Sequence, residues 1–227
     1  KALAVWCRTM ELLDGIGLAE RFVDSGMKLR GASIYANCKR IVHLDLTSDE
    51  SAFGFPLMIP QYETEHLLIE HLANQGITVE RQVELVDFSE GADAVACTLR
   101  HAEGRQEDIQ APWLIGCDGA HSTVRHSLAM DFSGYAEPND WMLADVRITG
   151  PLAMDEVSVF WHETGVLVFL PFKPDRIRLI ADLGPAKADA SGVEVTLAKA
   201  QSIVDSRGPG GLNLSDPNWL ANFRINE

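Results

Sequence analysis

The sequence predicts a mixed α/β fold, α+β in overall arrangement: an α/β layer first, then an antiparallel β-sheet layer with a covering helix. Three observations predict it. Helical and strand-like segments alternate up to about residue 134. Four segments with period-2 apolar spacing then follow one another between Trp141 and Leu183, separated by turn residues. The composition shifts between them, over residues 133–139, which sets a boundary between domains 1–134 and 135–227.

Residues 8–14 and 18–23 carry helical spacing around Gly15 and Gly17, with Leu12 and Leu13 facing one way among charges. Residues 29–35 and 40–46 read as strands, the second through Ile41, Val42, His43 and Leu44. Residues 48–56 are turn-rich and form a loop. Leu57-Met58-Ile59-Pro60 is a short buried strand leading into a helix over 62–74, closed by Gly76. Residues 78–88 and 94–101 are β-rich, and the turn signal over 89–93 makes them a hairpin. Next come a polar loop over 103–108, a short apolar strand over 112–116, a turn over 117–122 and a helix over 123–129.

Past the boundary, residues 141–148, 157–161, 166–172 and 176–183 are strands of the antiparallel layer. Gly150-Pro151, Glu163-Thr164-Gly165 and Pro174-Asp175 supply the turns. A helix over 193–206, opened by a Ser191-Gly192 turn, is followed by a loop over 208–211 and a strand over 219–225.

Charge and cysteine usage exclude several classes. With 19 basic and 33 acidic side chains the net charge is -14, which repels nucleic acid and anionic membranes alike. The four cysteines form no CxxC pair, against a zinc ribbon or a thioredoxin-type site, and their scatter suits a reducing cytoplasm. The longest apolar run, 166–172, is far below the ~20 residues of a membrane span. Glu63, His66 and Glu70 share a helix face, but no second Glu-x-x-His copy accompanies them, so they read as a solvated face and no metal is expected. The chain opens on Lys1 and reads as a piece of something longer.

The chemistry concentrates at Leu114-Ile115-Gly116-Cys117-Asp118-Gly119-Ala120-His121-Ser122-Thr123-Val124-Arg125. An apolar strand ends at Cys117, Asp118-Gly119 makes a tight turn, and Ser122 stands where an N-cap opens the next helix. Backbone N–H groups at that helix start favour an anionic ligand, and a carboxylate at the strand's carboxyl end suits ribose hydroxyls. Asp-Gly is also a common plain turn.

The run from Cys117 to Arg125 resembles the DG fingerprint of class A flavin-dependent aromatic monooxygenases, the p-hydroxybenzoate hydroxylase-like family, with every defining position present. Lys1-Ala2-Leu3-Ala4-Val5-Trp6-Cys7-Arg8-Thr9-Met10-Glu11-Leu12-Leu13 is similar to a further family segment. Ile59-Pro60-Gln61-Tyr62-Glu63-Thr64-Glu65-His66-Leu67 is similar to a third, and the strands around Phe169-Leu170-Pro171-Phe172 to the family's substrate domain. The resemblance implies a partial FAD-binding, Rossmann-like layer followed by a substrate-binding sheet. The family's opening GxGxxG and its later G-D-A motif are not found here, so the chain resembles the central part of such an enzyme.

The resemblance implies roles residue by residue. Lys1 stands where the family usually has Arg near the flavin phosphate or ribityl chain, a change that keeps charge but loses the fork. Ala2 and Leu3 contribute backbone contacts, Gln61 an amide to the cofactor, Leu85 a wall near the adenine, and Asp118 the DG carboxylate. Arg125 pairs with Asp118 or another acid. Trp161, Leu167 and Phe169 face the aromatic substrate or else belong to the core, and His162 polarises a phenol or makes a local hydrogen bond.

Two functional readings follow. The resemblance implies a parent enzyme that hydroxylates a phenol-like aromatic with FAD, NADPH or NADH, and O₂, with no covalent or acid–base catalyst among its side chains. The alternative is an inactive folded fragment, or a module binding an aromatic ligand or a partner. A truncated α/β half is also expected to expose apolar surface and self-associate.

Overall fold

The computed structural model describes residues 2–135, 137–186 and 194–225. In chain order the first elements are β1 (Ala4–Val5), α1 (Cys7–Asp14), α2 (Ala19–Ser25), β2 (Met27–Lys28), β3 (Gly31–Ala36), β4 (Lys39–Asp45) and β5 (Leu57–Met58). Next come α3 (Gln61–Asn74), β6 (Val83–Glu90), β7 (Val95–His101), β8 (Gln106–Ala111) and α4 (Thr123–Ser127). The chain finishes with β9 (Asn139–Thr149), β10 (Glu156–His162), β11 (Gly165–Lys173), β12 (Arg176–Pro185), α5 (Leu197–Arg207) and β13 (Asn213–Phe223). Two compact units result: residues 1–71 with 135–227, and residues 72–134.

The first unit is built on a seven-stranded sheet in the order β13-β9-β12-β11-β10-β3-β4. Every neighbouring pair is antiparallel except β10 and β3, which run parallel. The expected antiparallel layer is therefore mixed. β3 comes from far earlier in the chain and docks beside β10 through small residues, Ala32 and Ser33, while Tyr35 stacks on Phe160 at 4.5 Å. Alternation puts Met142, Ala144, Val146, Phe160, Leu167, Phe169, Ile177, Leu179 and Ala181 on one face, where α5 covers them with Ala200, Ile203 and Val204. Each large side chain there contributes roughly 1.5–3 kcal/mol of burial.

α5 starts at Leu197 because the Thr196 hydroxyl accepts the Lys199 N–H at 3.2 Å. The sequence predicts this helix from residue 193, but residues 194–196 are not helical and Thr196 is extended; residue 193 and the Ser191-Gly192 turn lie outside the described residues. At its far end Arg207 donates to the carbonyls of Thr164, Val166 and Asp182, tying the helix to the sheet.

A small antiparallel sheet, β1-β5-β2, carries α1 and α2. Met10, Leu13, Leu18, Phe22, Leu57, Ile59 and Leu67 form their core. Leu12 and Leu13 do not share a face: Leu13 is buried and Leu12 exposed, as the ~100° step between successive helix residues requires.

In the second unit β6, β7 and β8 form an antiparallel meander. Two sequence expectations are corrected here. The polar loop over 103–108 is a turn followed by β8, whose polar residues suit an edge strand with water close by. Residues 112–116 form no strand, and Trp113 and Ile115 are exposed. Apolar composition predicted burial, but no neighbouring strand among the described residues pairs with this segment.

Candidate active site

Pro60 ends the path of β5 and opens α3, its carbonyl accepting the N–H groups of Glu63 and Thr64 at 3.0 and 3.2 Å. This brings Gln61 and Tyr62 to the rim of a cavity of about 370 Å³ in the first unit. Its other walls are Phe172 and Lys173 at the end of β11, Arg176 and Arg178 on β12, Asp145 on β9, and Asn218 and Trp219 on β13. That volume falls within the range of small-molecule sites.

The strand period explains the lining. On β12, Ile177 and Leu179 point into the α5-covered core, so Arg176 and Arg178 point to the opposite face. Register places Arg178 beside Asp145, and Asp145 beside Trp219, abreast across three strands. Arg178 donates from Nε and Nη2 to the two oxygens of Asp145 at 2.7 and 2.8 Å, and its guanidinium lies 5.3 Å from the centre of the Trp219 ring. The pair is largely desolvated, a costly placement that two charge-assisted hydrogen bonds offset. Arg176 is held by the Asp216 carboxylate and carbonyl. Lys173 Nζ lies 3.5 Å from Tyr62 Oη.

The residues singled out by sequence are dispersed. Gln61 lines the cavity, and its Nε2 donates to Glu65 Oε1 at 3.0 Å. Lys1 lies outside the described residues. Ala2 is exposed, whereas Leu3 is buried against Leu29, Met58 and Phe172, with its carbonyl accepting the Ile59 N–H at 2.9 Å. Leu85 sits half-buried on β6 opposite Leu99. Trp161 is half exposed on β10. Leu167 and Phe169 have no exposed surface; they stand in the core instead, on the face α5 covers, with Phe160 packed edge-on to Phe169 at 5.6 Å. Among the described residues the His162 ring makes local hydrogen bonds alone, with the Thr164 hydroxyl at 2.9 Å and from the Thr164 N–H at 3.2 Å.

In the second unit Asp118 turns back onto its own helix. One oxygen accepts the Ser122 hydroxyl at 2.5 Å; the other accepts the N–H groups of Thr123 and Val124 at 2.7 and 3.4 Å. The Ser122 hydroxyl, and then these backbone donors, hold the carboxyl below the usual aspartate range. The N–H groups expected to await an anionic ligand are thus already engaged. Arg125 does not pair with Asp118: it donates to the Ala120 carbonyl at 2.8 Å and lies over the Phe132 ring. On α3, Glu70 is taken by Arg21 and His66, and no cluster among the described residues has the makings of a metal site.

Sequence reasoning missed Tyr62, Asp145, Lys173, Arg178 and Trp219. A signal existed: Arg176-Ile177-Arg178-Leu179 alternates charge with apolar side chains inside a strand, which marks a charged face behind a buried one.

The model of a family described as an FAD binding domain matches residues 1–207. The 6-methylpretetramide 4-monooxygenase of Streptomyces rimosus is 33% identical over 231 residues, covering 100% of this chain and 41% of that protein. The structure of OxyS anhydrotetracycline hydroxylase from Streptomyces rimosus superposes with a TM-score of 0.69 at 29% identity, over 99% of this chain and 44% of that one. The flavin-dependent monooxygenase PieE, solved with FAD and substrate, shares the fold with a TM-score of 0.81 at 16% identity, over 100% and 43%. The chain spans less than half the length of these relatives.

Proposed function

The chain belongs to the class A flavin-dependent aromatic monooxygenases, through their FAD binding domain family, and on that premise we propose that it is part of an enzyme that hydroxylates a phenol-like aromatic using FAD, NADPH or NADH, and O₂. The observation that carries the reading is the cavity at the start of α3. It combines the Gln61 amide, the rings of Tyr62, Phe172 and Trp219, and the buried Arg178–Asp145 pair. That donor set fits a flat heteroaromatic group with a polar edge. FAD, when bound, supplies the redox and oxygen-activating chemistry.

The chain's own residues bind and orient. Gln61 meets the cofactor; Lys1, Ala2, Leu3, Leu85 and Asp118 are proposed to add to its binding, and Trp161 to the substrate side. The aromatic walls hold a ring and exclude water. The cofactor's side of the work is assigned to residues 1–134 and the substrate's to 135–227, with β3 and β4 joining the latter's sheet. No helix among the described residues is long and apolar enough to cross a membrane, and a cytoplasmic location is part of the proposal.

The second reading, an inactive fragment that still binds an aromatic ligand, is favoured by the chain's coverage of only 41% of its Streptomyces relative. Self-association through exposed apolar residues such as Trp113 and Ile115 accompanies it. NAD(P)H oxidation and phenol hydroxylation, compared between this chain and a longer protein containing it, test both. Turnover by the longer protein alone is expected; hydroxylation by neither overturns the enzyme reading.

A further inference from the structure

The seven-stranded sheet ends on two edges that differ. At one end β13 contains Pro217 and a register shift between Ser215 and Trp219, and both disfavour pairing with a further strand. At the other end β4 is exposed at every residue. Ile41, Val42 and Leu44 are 53%, 38% and 48% exposed, large apolar side chains on the kind of strand most prone to take on a partner. None of these three lines the cavity at the start of α3.

The backbone of β4 is set up for pairing. Its register shift against β3 falls beside Ile41, between the pairs Ile34–Val42 and Tyr35–Arg40, so residues 42–45 form a regular run. Just beyond it, Leu46 donates its N–H to the Arg30 carbonyl, on the β3 side, at 2.9 Å. Alternation then turns the N–H and C=O groups of His43 and Asp45 away from β3, towards the open edge. Side chains alternate as well. Val42 and Leu44 share one face, beside Ile34 and Ala32, and His43 and Asp45 share the other.

We propose that β4 pairs antiparallel with β4 of a second copy of this chain, centred on Leu44. His43 of each copy then lies opposite Asp45 of the other, and the two residues exchange N–H···O bonds across the edge. Leu44 meets Leu44 on the two-fold axis and Val42 meets Leu46, so the apolar row closes on itself. Charge sets the sense of pairing. β4 opens on Lys39-Arg40 and ends at Asp45, with Asp49 and Glu50 beyond it. Antiparallel pairing brings the basic start of each strand towards the acidic end of the other, whereas parallel pairing stacks like on like. The turn at Thr47 engages Asp45 through Oδ1, and Oδ2 is the oxygen assigned to His43 of the second copy.

Sedimentation equilibrium of the chain over a range of concentrations tests this. A reversible monomer–dimer equilibrium is expected. Leu44→Lys sets like charges together on the axis and is expected to weaken dimerisation about tenfold or more. Trp113→Ser is expected to leave it unchanged, which separates this edge from the exposed apolar residues of the second unit. Cross-linking tests the register, in a background of Cys7→Ser, Cys38→Ser and Cys117→Ser that removes the exposed thiols. Leu44→Cys is expected to form a disulfide-linked dimer on mild oxidation and Ile41→Cys is not, since only residue 44 meets its own copy. A chain that stays monomeric at its highest soluble concentration overturns the proposal. So does a dimer that Leu44→Lys leaves intact or Trp113→Ser dissolves, and so does equal cross-linking of the two cysteine variants. Leu44 is half exposed, so its replacement spares the core; circular dichroism and melting of each variant establish that it folds.

Discussion

Arg178 and Asp145 face each other across β12 and β9, joined by hydrogen bonds of 2.7 and 2.8 Å on the wall of the cavity, with 5% and 14% of their side chains exposed. A pair so placed contributes little net stability, because desolvation cancels most of the attraction, but removing one partner strands the other. Arg178→Met or Asp145→Leu is expected to destabilise by about 3–5 kcal/mol, and the double variant by much less than the sum. Urea unfolding of the four proteins checks this; additive losses contradict it. Arg178→Lys is also expected to lose stability, since an ammonium cannot make the two-bonded fork.

Core and surface roles on the sheet separate cleanly. Phe169 has no exposed surface and Trp161 is 51% exposed. Phe169→Ala is expected to cost about 3–5 kcal/mol, and Trp161→Ala about 1 kcal/mol or less. Denaturant midpoints for the two variants measure the difference. Comparable losses show that α5 does not cover the Phe169 face in solution.

Asp118 makes the α4 turn sensitive to acid. Its carboxyl is held below the usual range, first by the Ser122 hydroxyl. A carboxyl depressed in the fold contributes stability that is fully present above its unfolded value, about 3.9, and lost as pH falls through the lower folded value. Asp118→Asn is therefore less stable than the parent at neutral pH, and the two converge in acid. Ser122→Ala is expected to raise the Asp118 pKa toward the ordinary value. Carboxyl chemical shifts followed through an acid titration read both effects. A pKa at or above about 3.9 in the parent contradicts the capping role.

Local pattern carried much of the fold and less of the site. Period-2 spacing predicted β9 to β12 nearly to their ends, and the Asp118-to-Ser122 spacing marked the turn before α4. Which face of β11 is covered depends on α5, some 30 residues later, so Leu167 and Phe169 read equally well as pocket or core. The parallel pairing of β3 with β10 joins residues about 125 positions apart, beyond the reach of any window. β8 was masked by its polarity, since an edge strand held by backbone bonds needs few apolar side chains. Gln61 was legible at the helix start, but the cavity beside it is assembled by register across β9, β12 and β13.

The most direct test is titration of the purified chain with FAD, followed by visible difference absorbance, for the parent and Gln61→Ala. The expected result is a saturable shift of the flavin bands in the parent that weakens about tenfold in the variant, the scale of one lost hydrogen bond. No shift at the highest soluble FAD concentration, or equal affinity in the two proteins, contradicts the assignment of this cavity to the flavin.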